Sequence, residues 1–147
     1  MKARDVMISP PIVGPDAPAT EAARLLADPE VRGLLVVDAD ERLAGVLTDA
    51  MLLRFLLPPY VAEAEPLAGV LEEEAADALW RRLEGKRASD LLPEDGAENA
   101  EVNSEATLIE VASAMVEADV PMVAVREDDR VVGAITLNSL LKQLLTP

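Results

Sequence analysis

The strongest constraint on this chain is that it repeats itself. The segment Gly33-Leu34-Leu35-Val36-Val37-Asp38-Ala39-Asp40-Glu41-Arg42-Leu43-Ala44-Gly45-Val46-Leu47-Thr48 aligns without a gap against the segment from Pro121 to Thr136. Arg42 and Arg130, Gly45 and Gly133, and Thr48 and Thr136 coincide, and each pair of numbers differs by 88. Self-similarity on this scale means one small supersecondary unit used twice. In each copy an apolar run leads into an acidic turn ending in Arg, then into a second apolar run that holds a Gly. That pattern predicts two buried strands joined as a hairpin. After each Thr the spacing becomes helical, with Leu52, Leu53, Leu56 and Leu57 on one stripe and Leu140, Leu141, Leu144 and Leu145 on the other.

The repeat extends upstream. Ala3-Arg4-Asp5-Val6-Met7 and Ala88-Ser89-Asp90-Leu91-Leu92 are matching lead-ins, and Ile12-Val13 and Ala100-Glu101-Val102 read as brief strands. A helix follows in each copy, over about 19–27 and 108–118, the second opened by Thr107 and Glu110 at capping-box spacing. Each unit is therefore strand, helix, strand, strand, helix. One unit of about 55 residues buries too little surface to be stable alone, so the two are expected to share a core. The predicted fold class is α/β, with two pseudo-symmetric βαββα repeats at 1–57 and 88–147 and a helical insert or linker at 58–87. In the insert, Pro58-Pro59 and Pro66 break helix, whereas Leu71, Ala75, Ala78, Leu79 and Leu83 recur at helical spacing from Leu67 onward. Gly85 is the predicted stop, Leu79 and Trp80 are expected to rest on the repeats, and Glu72-Glu73-Glu74 reads as a solvated face.

Composition narrows the chemistry. The chain has no Cys and no His, which removes disulfides, thiolate or imidazole metal sites, and His-dependent nucleophilic catalysis. There is no Walker-type phosphate loop, so the expectation is a non-enzyme. A net charge of −15 repels nucleic acid, and no apolar run approaches a membrane span. The N-terminal residues read as neither signal peptide nor anchor, and a cytoplasmic protein without nucleic acid or membrane partners is expected.

The ordered elements Asp5-Val6-Met7, Val36-Val37-Asp38 and Gly45-Val46-Leu47-Thr48, echoed by Asp90-Leu91-Leu92 and Gly133-Ala134-Ile135-Thr136, resemble the CBS domain family. The resemblance covers nearly the whole chain outside the insert. It implies a tandem pair, or Bateman module, that forms a homodimer, binds an adenosine-containing ligand between the copies and regulates a protein target. No cofactor is required; AMP, ADP, ATP and S-adenosylmethionine are the implied regulatory ligands. The residues it implies for ligand binding are Thr48, Thr136, Ser139, Pro121, Met122, Val123, Val13, Gly33 and Leu35.

In nucleotide-binding relatives an Asp three residues after the Thr holds the ribose; here Met51 and Ser139 stand at those positions. Ser139 retains one neutral hydrogen bond, which favours the second copy's site. The alternative is a degenerate pair that acts as a dimerisation or protein-interaction scaffold. Each residue also has an ordinary role. Thr48 and Thr136 suit helix N-caps, Gly45 and Gly133 suit close contact between the repeats, and Pro121 can open an edge strand. Lys2, Arg4, Lys86 and Arg87 suit surface ion pairs.

Overall fold

The computed structural model describes residues 1–57, 72–94 and 100–146. The first copy runs α1 (Ala3–Val6), β1 (Ile12–Val13), α2 (Ala19–Leu26), β2 (Leu34–Val37), β3 (Leu43–Leu47) and α3 (Asp49–Leu56). Helix α4 (Glu72–Leu83) and a 3-10 turn (Ala88–Leu91) follow. The second copy is β4 (Glu101–Asn103), α5 (Leu108–Ala118), β5 (Met122–Glu127), β6 (Arg130–Thr136) and α6 (Leu137–Leu145). Two three-stranded sheets result, ordered β1-β2-β3 and β4-β5-β6, each with one parallel and one antiparallel pairing. The expected α/β architecture of two βαββα repeats is what folds.

Strand register corrects the gapless alignment. Leu34 pairs with Leu47 and Val36 with Gly45, whereas Val123 pairs with Ile135 and Val125 with Gly133. Strand β3 thus matches β6 at a difference of 88, but β2 matches β5 at a difference of 89. The missing residue lies in the acidic turn. The second hairpin turns through Asp128 and Asp129, both at positive φ (51° and 65°), while the first uses one residue more and has Glu41 alone at φ 63°. With this register Arg32, not Gly33, is the counterpart of Pro121.

The lead-in of each copy is held by the other copy. Backbone amides of Ala3 and Arg4 donate to the carbonyls of Ala106 (2.8 Å) and Ser104 (3.0 Å). Those of Ala88 and Ser89 donate to Ala17 (2.8 Å) and Pro15 (3.0 Å) in the same pattern. Ala3 and Val6 accordingly join the second copy's core with Val111, Val123 and Ile135, and Ala88 and Leu91 join the first with Leu26, Leu34 and Leu47. Leu35, Val46, Met122, Ala124 and Ala134 fill the seam between the sheets. Each copy's core is thus completed by the other copy's lead-in.

The symmetry breaks at two prolines. Ile8 and Ala134 exchange backbone hydrogen bonds of 2.7 and 2.9 Å, but the second lead-in has Pro93 at the equivalent point and no amide to donate. Pro29 stops α2 a turn earlier than α5.

Helix α4 lies on the first copy, against α2 and α3. Its anchor is Leu83, 2% exposed, rather than Trp80, which stays 41% exposed with the Arg24 guanidinium 5.7 Å from its ring centre. Gly85, at φ +76°, ends the helix as its left-handed conformation requires. The expected helix start near Leu67 lies outside the described residues, as do the side chains of Glu72, Glu73 and Glu74. Among the described residues, no helix is long and apolar enough to cross a membrane.

Candidate functional site

Both repeat threonines sit where a strand ends and a helix begins, and both are buried. Thr48 Oγ1 accepts the Met51 amide at 3.3 Å and caps α3; Thr136 Oγ1 accepts the Ser139 amide at 3.2 Å and caps α6. Beyond the cap the copies differ. Thr136 Oγ1 also donates to Ser139 Oγ (3.0 Å), which donates in turn to the Thr136 carbonyl (3.0 Å). Both hydroxyl protons of that ring are used. Met51 replaces Ser139 in the first copy, so among the described residues Thr48 has no acceptor for its hydroxyl proton. The Ser139 hydroxyl, expected to serve a ligand, is thus turned back onto its own helix terminus.

Beside each cap lies a concavity built from matched positions. In the first copy it has a volume of ≈ 310 Å³ and is lined by Leu26, Asp28, Val31, Arg32 and Asp49, with Pro121 reaching in from the second copy. In the second it has ≈ 560 Å³ and is lined by Met115, Val116, Val120, Pro121, Leu137 and Leu141 among others. Leu26 corresponds to Met115, Val31 to Val120, Arg32 to Pro121 and Asp49 to Leu137. One location in the fold is thus a charged cleft in the first copy and an apolar groove in the second. The Asp49 carboxylate also accepts the Ala50 amide at 2.7 Å, placing its charge at the helix N-terminus that an anionic ligand group would otherwise favour.

A sequence profile for the CBS domain matches residues 3–58 and 99–146. The chain belongs to the CBS domain family. Its two matches make it a CBS pair. A CBS domain-containing protein of unknown function from Kribbella flavida DSM 17836 is 36% identical, with a TM-score of 0.82 and coverage of 99% of both chains. The CBS domain of a CBS domain-containing membrane protein from Sphaerobacter thermophilus is 24% identical, with a TM-score of 0.73 over 100% of this chain and 90% of that one. CBSX2 from Arabidopsis thaliana is 22% identical, with a TM-score of 0.74 over 98% of this chain and 94% of that one. A structure of CBSX2 in complex with AMP has a TM-score of 0.69 at 22% identity over 98% and 96%. The last three show the fold alone. No curated protein matches the chain.

Of the other residues the resemblance implied, the CBS pair brings Pro121 alone to the two concavities. The side chains of Val13, Leu35, Met122 and Val123 are buried in the cores and the seam. Gly33 is roofed by its neighbour: a Cβ there would stand 3.0 Å from Met122 Cε and 3.3 Å from the Leu47 carbonyl. Gly45 and Gly133 serve close contact between the repeats, with Leu92 over one and Met7 and Ile8 over the other. Three of the four lead-in cations form surface pairs: Arg87 meets Asp16 at 3.1 Å, and Lys2 and Arg4 both meet Glu105. The Lys2 hydrogen bond, with the charge of Arg4, holds the Glu105 carboxyl below its ordinary range.

Arg32 and Asp28 line the first copy's cleft without having been singled out in the sequence, and Asp49, one position after Thr48, lines it as well. A one-residue gap in the acidic turn, which sets Arg32 opposite Pro121, is the signal that would have found Arg32. At the far ends of the hairpins a third cavity of ≈ 660 Å³ is lined by Arg42, Glu101, Arg126 and Asp129. Its Arg126 and Glu101 already pair at 3.1 Å.

Proposed function

We propose that this CBS pair is a non-catalytic regulatory module that takes an adenosine-containing metabolite in the first copy's cleft. The observation that carries this reading is a cleft walled by both repeats, Arg32 and Asp49 from one and Pro121 from the other, at the start of the helix that Thr48 caps. A ligand touching both copies binds their alternative packings with different affinity, which is the condition for a regulatory response. CBSX2, which shares the fold and has been seen with AMP, supports the ligand class.

Two features set the terms of binding. Met51 stands where relatives carry the ribose-binding Asp, and losing a charged hydrogen bond of about 1.5–3 kcal/mol weakens binding roughly ten- to a hundredfold. The cleft also sets one cation, Arg32, against Asp28 and Asp49 in a chain of net charge −15. That balance ranks S-adenosylmethionine and AMP above ADP, and ADP above ATP.

Thermal melting with each ligand at millimolar concentration tests the reading, because a bound ligand raises the midpoint by mass action. The expected order of shifts is the order above, and Thr48→Val removes the shift while Thr136→Val leaves it. No shift with any ligand refutes the sensing function. The second reading, a dimerisation or protein-interaction scaffold, is favoured by the exposed apolar groove of the second copy.

A further inference from the structure

We propose that the cavity between the two hairpin tips, at the far end of the hairpins from the threonine caps, is a site for a free α-amino acid in its zwitterionic form, with the carboxylate on Arg42 and the ammonium group on Asp129. The site shares no residue with the first copy's cleft and stands whether or not that cleft takes an adenosine ligand.

The two hairpin tips are joined directly. The Val131 amide donates to the Glu41 carbonyl at 2.9 Å, and Arg130 Nη1 meets Glu41 Oε2 at 3.4 Å. Close to that clasp in the sequence of each hairpin are the residues of the ≈ 660 Å³ cavity, Arg42 and Leu43 from the first copy and Glu101, Arg126 and Asp129 from the second. The volume falls within the range of small-molecule clefts.

Packing does not require charge here. Glu101 and Arg126 pair at 3.1 Å with side chains 22% and 40% exposed. At the matched positions of the first copy, each displaced by 89, stand Ile12 and Val37, and Val37 packs on the seam. The same backbone thus accepts two aliphatic side chains at this point, and a half-buried ion pair adds little stability over such a pair.

The arrangement of charge selects the ligand. Two guanidinium groups and two carboxylates line the cavity, so its formal charge is zero. Arg126 and Glu101 neutralise each other, whereas Arg42 and Asp129 come from different copies and form no ion pair with each other. A molecule that satisfies both must carry one anionic and one cationic group. An α-amino acid does so at adjacent atoms: a guanidinium grips its carboxylate through two parallel N–H···O bonds, and the Asp carboxylate accepts from its ammonium group. A simple anion is a poorer fit, because Glu101 and Asp129 oppose it in a chain of net charge −15. Leu43 supplies an aliphatic wall, which favours an aliphatic side chain such as that of leucine.

Calorimetric titration of the full chain with L-leucine, leucinamide and N-acetyl-leucine tests the assignment. Leucine should bind at one molecule per chain, and each derivative, lacking one of the two charges, at least about tenfold more weakly. Arg42→Gln and Asp129→Asn lie at exposed positions, and Asn tolerates the φ of 65° at 129, so both variants should melt as the wild type does. Each should weaken leucine binding at least about tenfold, while Thr48→Val leaves it unchanged. No heat from leucine at millimolar concentration overturns the proposal, as does equal affinity for N-acetyl-leucine or binding that survives both charge variants. Loss of leucine binding in Thr48→Val overturns it too, by moving the amino acid to the first copy's cleft.

Discussion

At one location in the fold the first copy carries Arg32 and Asp49 and the second carries Pro121 and Leu137. The backbone around them is the same: a strand ends at a buried Thr, the Thr caps a helix, and a second helix flanks the gap. Yet one gap is polar and walled by both repeats, and the other is an open apolar groove. Duplication preserved what core packing demands, the alternating strand positions and the capped helix starts. It left the rim free to diverge, since residues there contribute little to stability. A symmetric scaffold thus carries two chemically different surfaces at one location.

Paired substitutions probe that divergence, beginning with the helix faces. Leu83→Ala should destabilise the fold by about 2–5 kcal/mol, because the side chain is 2% exposed in the first copy's core. Leu144→Ala, on the uncovered face, should change monomer stability by less than about 1 kcal/mol. Urea denaturation measures both, and equal losses would mean the two faces are covered alike.

The repeat glycines give the next contrast. A Cβ at Gly133 would lie 2.9 Å from the Ile8 carbonyl, whereas one at Gly45 would lie 2.8 Å from the tip of Leu92. Backbone locked into a strand pairing yields less readily than a leucine end. Gly133→Ala should therefore cost about 1–3 kcal/mol and Gly45→Ala distinctly less. Loss of protection at the Ile8 amide in hydrogen exchange should accompany the first alone.

A smaller contrast concerns the caps. Thr48→Ala and Thr136→Ala should each cost roughly 1 kcal/mol, with Thr136→Ala the larger because Ser139 loses a partner too. The smallest effect is electrostatic. Glu105 is held below its ordinary value of 4.5 by Lys2 and Arg4, so its contribution is complete above that value and fades as pH falls through the lowered one. Acid titration of stability should show wild type and Glu105→Gln converging at low pH; a constant gap would mean the carboxylate charge is not the cause.

How much of this the sequence revealed follows from where residues leave marks. The hairpin-helix repeat was readable because Gly and Thr stand at positions that tolerate little else. The slip of one residue in β2 was hidden, since runs of Val and Leu look alike under any small shift and the acidic turn absorbs the gap. The exchange of lead-ins was hidden as well: Ala3 and Ala88 carry no local sign of which copy will bury them. In α4 the predicted stripe holds at half-buried Leu79 and buried Leu83, while Ala78 stays exposed and Leu71 and the Ala75 side chain lie outside the described residues. The cleft was the least readable part. Arg32 and Asp49 are ordinary surface charges in sequence, and only the fold sets them across from Pro121.

Calorimetric titration of the full chain with S-adenosylmethionine and with AMP tests the central claim, that the copies differ in ability to bind. The stoichiometry should be one ligand per chain, lost in Thr48→Val and retained in Thr136→Val. Two equivalent sites per chain, or one site that vanishes with Thr136→Val, would contradict it.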